Sequence, residues 1–254
     1  MLLENVNIKK YNLKSLKRIF YGTAPMPTSK LREAVSVFGN IFRQNYGLTE
    51  AVQPLTHLTP EEHILSGQEE VVKRLGSAGT RALGLEVRIV DGNDVEVPVG
   101  QIGEILLRSP HISPGYLNLP EMTEETYKGG WLHTGDLGYK DHSGYLFIVD
   151  RKKDMIISGG FNIYSREVEI FLDSHPAILE SAVIGVPDDK WGEVVKAFVV
   201  LKKGKDKPSE RELVDFCLKK GLTRYKAPKR VSFIDRLPKN ENRKIIKKDL
   251  KRLG

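Results

Sequence analysis

The chain has 254 residues but a single cysteine, Cys217, so no internal disulfide can form. That excludes the disulfide-stapled secreted class and points to a reducing, cytoplasmic setting. No long uncharged apolar run is present, which excludes a membrane-spanning helix. The opening residues Met1 to Lys10 lack the apolar core and small-residue cleavage site of a secretory leader. The six histidines show no metal-ligand spacing, so a zinc-type centre is not expected. No repeat or low-complexity linker occurs. What the chain does have is 40% hydrophobic and 29% charged residues, as in soluble globular proteins. Lys and Arg number 40 against 33 Asp and Glu, giving +7, and they are densest from Arg236 to Arg252. Such a surplus suits nucleic acid, an anionic membrane or phosphorylated small molecules, or it is plain solvated surface. No aromatic-rich recognition motif accompanies it, so no nucleic acid partner is expected.

The pattern changes twice, giving three regions: 1–75, 76–150 and 151–254. In the first, Arg18 to Tyr21 forms a short strand ending in the turn Gly22-Thr23-Ala24-Pro25. A helix follows, capped by Thr28 or Ser29, with Leu31, Ala34, Val35 and Phe38 on one face and a stop at Gly39-Asn40. Ile41 to Tyr46 forms a second strand ending at Gly47. This strand–helix–strand unit predicts parallel pairing, part of an α/β subdomain with a ligand at the strand ends. The second region is β: Leu85, Val87 and Ile89 alternate with charged residues, and Gly103–Arg108 and Tyr145–Val149 are further strands. It predicts a small barrel-like subdomain. The third begins after the charged segment Asp150-Arg151-Lys152-Lys153-Asp154, a hinge without apolar anchors, and alternates helix and strand as a compact α+β domain. Ser165 caps one helix, and Ser209-Glu210-Arg211-Glu212 is a capping box for another whose inner face carries Leu213, Phe216 and Cys217. Cys217 is a packed core residue.

Four segments offer chemistry. In Tyr46-Gly47-Leu48-Thr49-Glu50 the ring can stack on a base, and glycine admits a phosphate to the backbone. The hydroxyl can donate to phosphate and the carboxylate can hold Mg²⁺. The same residues equally form a strand, turn and helix cap. In His133-Thr134-Gly135-Asp136 a carboxylate after a tight turn can accept both ribose hydroxyls, or is an ordinary turn aspartate. In Asp150 to Asn162, Arg151 can take the other side of a ribose and Ser158-Gly159-Gly160 exposes bare backbone; the alternative is a basic linker and turn. In Pro238 to Leu250 a lysine on a loop before a basic helix can neutralise charge at a displaced phosphate, or belongs to a solvated tail.

Taken in order, these segments make the chain resemble the adenylate-forming superfamily of acyl-CoA synthetases, luciferases and peptide-synthetase adenylation domains. The resemblance rests on Gly22-Thr23-Ala24-Pro25, Tyr46 to Glu50, Gly115-Tyr116, Gly130-Trp131, Thr134-Gly135-Asp136, Asp150 to Asn162 and Asn242-Arg243-Lys244. It covers nearly the whole chain, but only the carboxy-terminal half of such an enzyme, since complete members are roughly twice as long. The phosphate-wrapping loop that the family carries upstream of Tyr21 has no counterpart here.

The resemblance implies an acid–thiol ligase that uses ATP, Mg²⁺ and CoA. A carboxylic acid attacks the α-phosphate of ATP to give acyl-AMP, and a thiol then displaces AMP. Gly22, Thr23, Ala24, Asn45 and Tyr46 would frame the adenine, and Gly47 would bind the same nucleotide by admitting a phosphate to the backbone. Thr49 would hold phosphate, Glu50 the Mg²⁺, and Asp136 with Arg151 the ribose. Lys244 would be the catalytic lysine and Lys153 the hinge. Rotation there would exchange Lys244 for Ser158, Gly159, Gly160 and Phe161 at the site. Trp191 and Tyr225 are candidates for CoA stacking, or packed aromatics. Arg243 stands where the family usually has glycine. A fatty acid is the expected substrate, with aryl acids open, and the half enzyme is expected to be inactive without its amino-terminal half. Two alternatives stand beside this: loading of a carrier-protein arm, and a non-catalytic nucleotide- or nucleic-acid-binding module.

Overall fold

The computed structural model describes residues 8–24, 26–241 and 243–253; Pro25 and Asn242, which belong to two of the motifs above, lie outside them. The chain divides into two units, Met1–Ile148 and Val149–Gly254.

The first unit opens with β1 (Ile19–Gly22), α1 (Thr28–Phe38) and β2 (Phe42–Leu48). Strands β1 and β2 pair in parallel, Ile19 opposite Phe42 and Gly22 opposite Asn45. Helix α1 can bridge them because Leu31, Ala34 and Val35 recur at helical spacing and bury against Phe42 and Leu75. It ends at Gly39, whose φ of +79° suits glycine and whose N–H reaches Val35 O. Its N-cap is Pro27, with no side-chain cap bond, so neither Thr28 nor Ser29 caps it. Strand β2 does not stop at Gly47. It runs to Leu48 and turns through Thr49-Glu50 into β3 (Ala51–Leu58), with Leu48 opposite Ala51. The Tyr46–Glu50 segment is therefore a hairpin corner, not a strand feeding a helix. After a short helix, α2 (Glu69–Lys73), β4 (Thr80–Arg81) completes a sheet in the order β1-β2-β3-β4.

The second sheet of this unit has the order β5-β6-β7-β8. Its strands are β5 (Glu86–Val90), β6 (Gly103–Arg108), β7 (Leu132–Lys140) and β8 (Leu146–Arg151), with α3 (Pro120–Thr126) before β7. The order runs from one edge to the other without closing, so the expected barrel is an open sheet. It is joined to the first sheet where Ala78 N donates to Leu146 O and Leu146 N to Gly79 O, at 2.7 and 2.9 Å. Alternation seats Leu85, Ile89, Ile105 and Leu107 in one core with Leu55 and Tyr46.

The second unit holds β9 (Ile156–Ser158), β10 (Phe161–Ile163), α4 (Ser165–Asp173), β11 (Ile178–Asp188), β12 (Gly192–Leu201), α5 (Glu210–Lys219), β13 (Arg230–Phe233) and α6 (Lys247–Lys251). Strand β12 is the spine: it pairs with β11 and β9 antiparallel and with β13 in parallel. Successive side chains of β12 serve opposite faces. Val195, Ala197 and Val199 pack under α4 and α5 with Val168, Leu172, Leu213 and Cys217. Val194, Phe198 and Val200 pack on the other side with Leu237 and Leu250. A strand covered on both faces reads as a continuous apolar run, which is why Val194–Leu201 lacks visible alternation. The Ser209–Glu212 capping box forms as predicted, with Glu212 N on Ser209 Oγ and Ser209 N on Glu212 Oε2. Ser165 does not cap α4. The N-cap is Tyr164, and the Ser165 hydroxyl is engaged elsewhere.

Candidate active site

In the first unit the parallel pair β1–β2 brings Gly22 beside Asn45. A Cβ on Gly22 would stand 2.1 Å from Asn45 O, so the strands approach this closely only with glycine there. Thr23, next along, takes φ +62° and turns the chain away, leaving Thr23 and Ala24 exposed. Tyr46 follows Asn45 and is 8% exposed. Its hydroxyl donates to Asp136 Oδ2 at 2.7 Å. Two motifs ninety residues apart in sequence thus meet through one hydrogen bond.

Asp136 does not follow a tight turn. It lies inside β7, just past an irregularity in the pairing with β6 at which Gly135 takes φ +67°. Thr134 Oγ1 donates to Ile105 O at 2.7 Å and accepts from Asp136 N at 3.0 Å, and Gly135 N donates to Glu104 Oε1 at 3.2 Å. These bonds fix the carboxylate's position from both sides of the irregularity. His133 stands 3.7 Å from the buried Glu104.

At the hairpin corner Thr49 is exposed and Glu50 half-buried. Glu50 Oε1 accepts from Tyr116 Oη at 2.6 Å. Burial, then this bond, pushes the Tyr116 phenol up to about 12. Tyr116 is itself fixed through Thr123, whose Oγ1 accepts from Tyr116 N at 2.9 Å. Sequence reasoning had Gly115-Tyr116 as part of a motif but missed its contact with Glu50, because nothing in the spacing joins residues 50 and 116. Among the described residues no cluster of three or more His, Cys, Asp or Glu could cage a metal. One carboxylate beside a hydroxyl is a hard-oxygen set that fits Mg²⁺ already carried on phosphates, the mode that ion favours.

In the second unit, β9 and β10 form a hairpin with Ser158 opposite Phe161, turned by Gly159 and Gly160 at φ +57° and +83°. Gly159 N donates to Trp191 O at 2.8 Å, and a Cβ on Gly159 would lie 2.7 Å from Trp191 Cε3. The ring packs on bare backbone. Phe161 and Tyr225 meet with ring centroids 5.0 Å apart. The predicted residues Ser158, Gly159, Gly160, Phe161, Trp191 and Tyr225 therefore form one local group, and the three rings remain substantially exposed.

Lys244 sits on a tight loop closed by Asn240 N to Lys244 O and Lys244 N to Asn240 Oδ1, both 2.9 Å. Arg243, before it, takes φ +60°. Helix α6 begins three residues after Lys244, as expected. The charged segment from Asp150 is anchored by polar contacts at its start. Asp150 is buried and accepts from Ser165 Oγ at 2.8 Å and from Arg151 N at 2.8 Å. Arg151 is exposed at the end of β8, and Lys153 is exposed in the helical turn Lys152–Asp154 that follows.

Comparison with known proteins gives the class. The family described as "AMP-binding enzyme" matches residues 1–117, and the "AMP-binding enzyme C-terminal domain" matches residues 167–244. The chain is 40% identical over 242 residues, 93% of its length, to the medium/long-chain-fatty-acid–CoA ligase FadD8 of Mycobacterium tuberculosis. It is 38% identical over 251 residues, 99% of its length, to the fatty acid–[acyl-carrier-protein] ligase ScoC of Streptomyces coeruleorubidus. The o-succinylbenzoate CoA synthetase of Bacillus subtilis, solved with its acyl-adenylate intermediate, superposes with a TM-score of 0.85 at 38% identity over 98% of this chain and 48% of that one. The chain belongs to the adenylate-forming, AMP-binding enzymes. Within that family it corresponds to the carboxy-terminal part, spanning 41% and 47% of the two curated relatives. No described helix is long and apolar enough to cross a membrane.

Proposed function

We propose that the chain is the carboxy-terminal portion of an ATP-dependent acid–CoA ligase that makes acyl-AMP and then acyl-CoA. The observation that supports this is the 2.7 Å bond between Tyr46 and Asp136, which joins two motifs that we assign to nucleotide binding in the first unit. Gly22, Thr23, Ala24, Asn45 and Tyr46 frame an adenine, and Gly47 admits a phosphate to the backbone. Asp136 and Arg151 take the ribose hydroxyls. Thr49 donates to phosphate. Glu50, with Tyr116 holding one oxygen, would hold Mg²⁺, which supplies charge neutralisation on the phosphates. Lys244 stabilises the negative charge that builds as the substrate carboxylate approaches the α-phosphate. For the second step the carboxy-terminal unit pivots at Lys153 and presents the Gly159–Gly160 turn in place of Lys244. There Phe161, Trp191 and Tyr225 offer faces for the adenine of CoA. Relatives named for a fatty acid and for a carrier protein resemble this chain in sequence, and a solved o-succinylbenzoate CoA synthetase resembles it in fold. We assign a fatty acid and CoA.

Pyrophosphate release with Mg·ATP, CoA and a panel of fatty and aryl acids tests the reading, on the chain alone and with an amino-terminal portion of a close relative supplied. Silence alone and turnover on complementation is the expected pair of results. Turnover by the chain alone, or silence in both, overturns it. Transfer to a carrier arm but not to free CoA would replace the acceptor.

A further inference from the structure

The second unit contains a buried polar chain that none of the motifs requires. Lys247 Nζ donates to Ser165 Oγ at 2.6 Å and stands 2.7 Å from Glu169 Oε1. Ser165 Oγ donates in turn to Asp150 Oδ2 at 2.8 Å, and Asp150 Oδ1 accepts from Arg151 N at 2.8 Å. Ser165 is 0%, Glu169 5% and Asp150 8% exposed. Glu169 also accepts from Val183 N at 3.0 Å and faces Arg166 at 3.6 Å. Glu169 is thus met by both Lys247 and Arg166, while Asp150 is held by the Ser165 hydroxyl and by the backbone N–H groups of Arg151 and Arg166, with Ser165 linking the Lys247 ammonium to Asp150. Removing one member leaves a buried charge uncompensated, so the arrangement holds as a whole.

The two ends of this chain are the notable part. Asp150 is the residue before Arg151, where the segment read as a hinge begins. Lys247 is the first residue of α6 and lies three residues after Lys244. Between them the Lys244 loop is closed on itself by the Asn240–Lys244 bonds and by Ile246 N on Pro238 O at 2.9 Å. The two ends of the loop are therefore tied to each other, and it is docked on the domain through α6, by Leu250 in the core and by the Lys247 ammonium.

We infer that Lys247 is a positioning residue for Lys244: through Ser165 it ties the lysine-bearing loop to Asp150, so that loop and hinge origin move as one body. The Lys247 side chain is largely buried against Glu169 and Ser165. Its contribution is orientation, to which adenylation is sensitive and thiol transfer, which does not use Lys244, is not. The inference rests on the reading of Lys244 given above for its catalytic half, and on geometry alone for its structural half.

The structural half is tested on the chain as it stands, by tryptic cleavage after Arg243 and Lys244 in the wild type, Lys247→Met, Lys247→Arg and Ser165→Ala. We expect Lys247→Met to be cut there about tenfold faster, Ser165→Ala to move the same way, and Lys247→Arg to return towards wild type. Wild-type cleavage in a folded Lys247→Met overturns the inference. If that variant unfolds, Ser165→Ala, which keeps the Lys247–Glu169 pair, decides in its place. In the complemented enzyme Lys247→Met should lower acid-dependent pyrophosphate release at least about tenfold more than thioester formation from supplied acyl-adenylate. Equal loss of both marks a merely structural residue and overturns it. Lys244→Ala run alongside separates the two readings. If adenylation survives that change, the role of Lys244 has failed, while the cleavage result still judges the tether.

Discussion

The hydroxyl of Tyr46 closes on the buried carboxylate of Asp136 at 2.7 Å, so the residue we assign to the base and the residue we assign to the ribose are one hydrogen-bonded unit. Tyr46→Phe keeps the ring and removes that donor. It should cost about 1–3 kcal/mol of stability in the first unit, the penalty for a buried acceptor that loses a partner. Denaturant unfolding of the chain reads this directly. An unchanged midpoint would mean that water or a neighbour replaces the hydroxyl at no cost.

Lys244→Ala should lower adenylation in the complemented enzyme by about 10²–10³, the usual effect of losing one charge-stabilising group. Thiol transfer from supplied acyl-adenylate should stay close to wild type. Pyrophosphate release and thioester formation, measured separately, give the two rates. Parallel loss would remove the assigned role.

Gly159→Ala places a methyl 2.7 Å from the Trp191 ring on backbone at φ +57°, so both the turn and the ring must shift. Trp191 should become more solvent-exposed, with red-shifted emission, and thiol transfer should fall more than adenylation. Unchanged emission would show that the ring does not depend on the bare turn.

Arg243 holds φ +60°, a conformation that costs an L residue roughly 1–2 kcal/mol. Arg243→Gly should therefore raise the stability of the second unit, by about 1 kcal/mol at most once glycine's extra freedom in the unfolded chain is counted. A lower melting temperature would mean that the arginine side chain contributes more than its backbone costs.

Burial raises the Cys217 thiol from 9.0 to about 11. The folded state then keeps a proton that the unfolded state releases, so this contribution is intact below pH 9 and is lost as pH rises towards 11. Relative to Cys217→Ala, the wild type should lose stability across that window, by up to about 1.4 kcal/mol per pH unit. Parallel curves for the two proteins would contradict it.

Where spacing carries the signal, the sequence was sufficient: the Leu31–Val35 face of α1, the Leu85–Ile89 alternation and the Ser209 capping box all form in the structure. It was insufficient where partners are distant in the chain. Strand β7 was hidden because His133-Thr134-Gly135-Asp136 has the composition of a turn, and it is a strand only through its neighbours β6 and β8. Strand β3 was hidden behind the motif before it. Ser165 has the position and chemistry of an N-cap, yet Asp150, fifteen residues back, takes its hydroxyl. Tyr116 and Lys247 carried no local mark of their partners, Glu50 and Glu169, since a hydrogen bond across a fold leaves no periodicity.

The parallel pairing of β12 with β13 also bears on how the molecule comes to exist. A parallel neighbour cannot be reached by a tight turn, and here the connection runs through α5. The β11–β12 hairpin can zip from its own corner, whereas β13 must wait for that helix to settle and for a long loop to close. The β11–β12 pair is thus a local product of the chain, whereas the sheet is finished only by a contact that spans a whole helix in sequence.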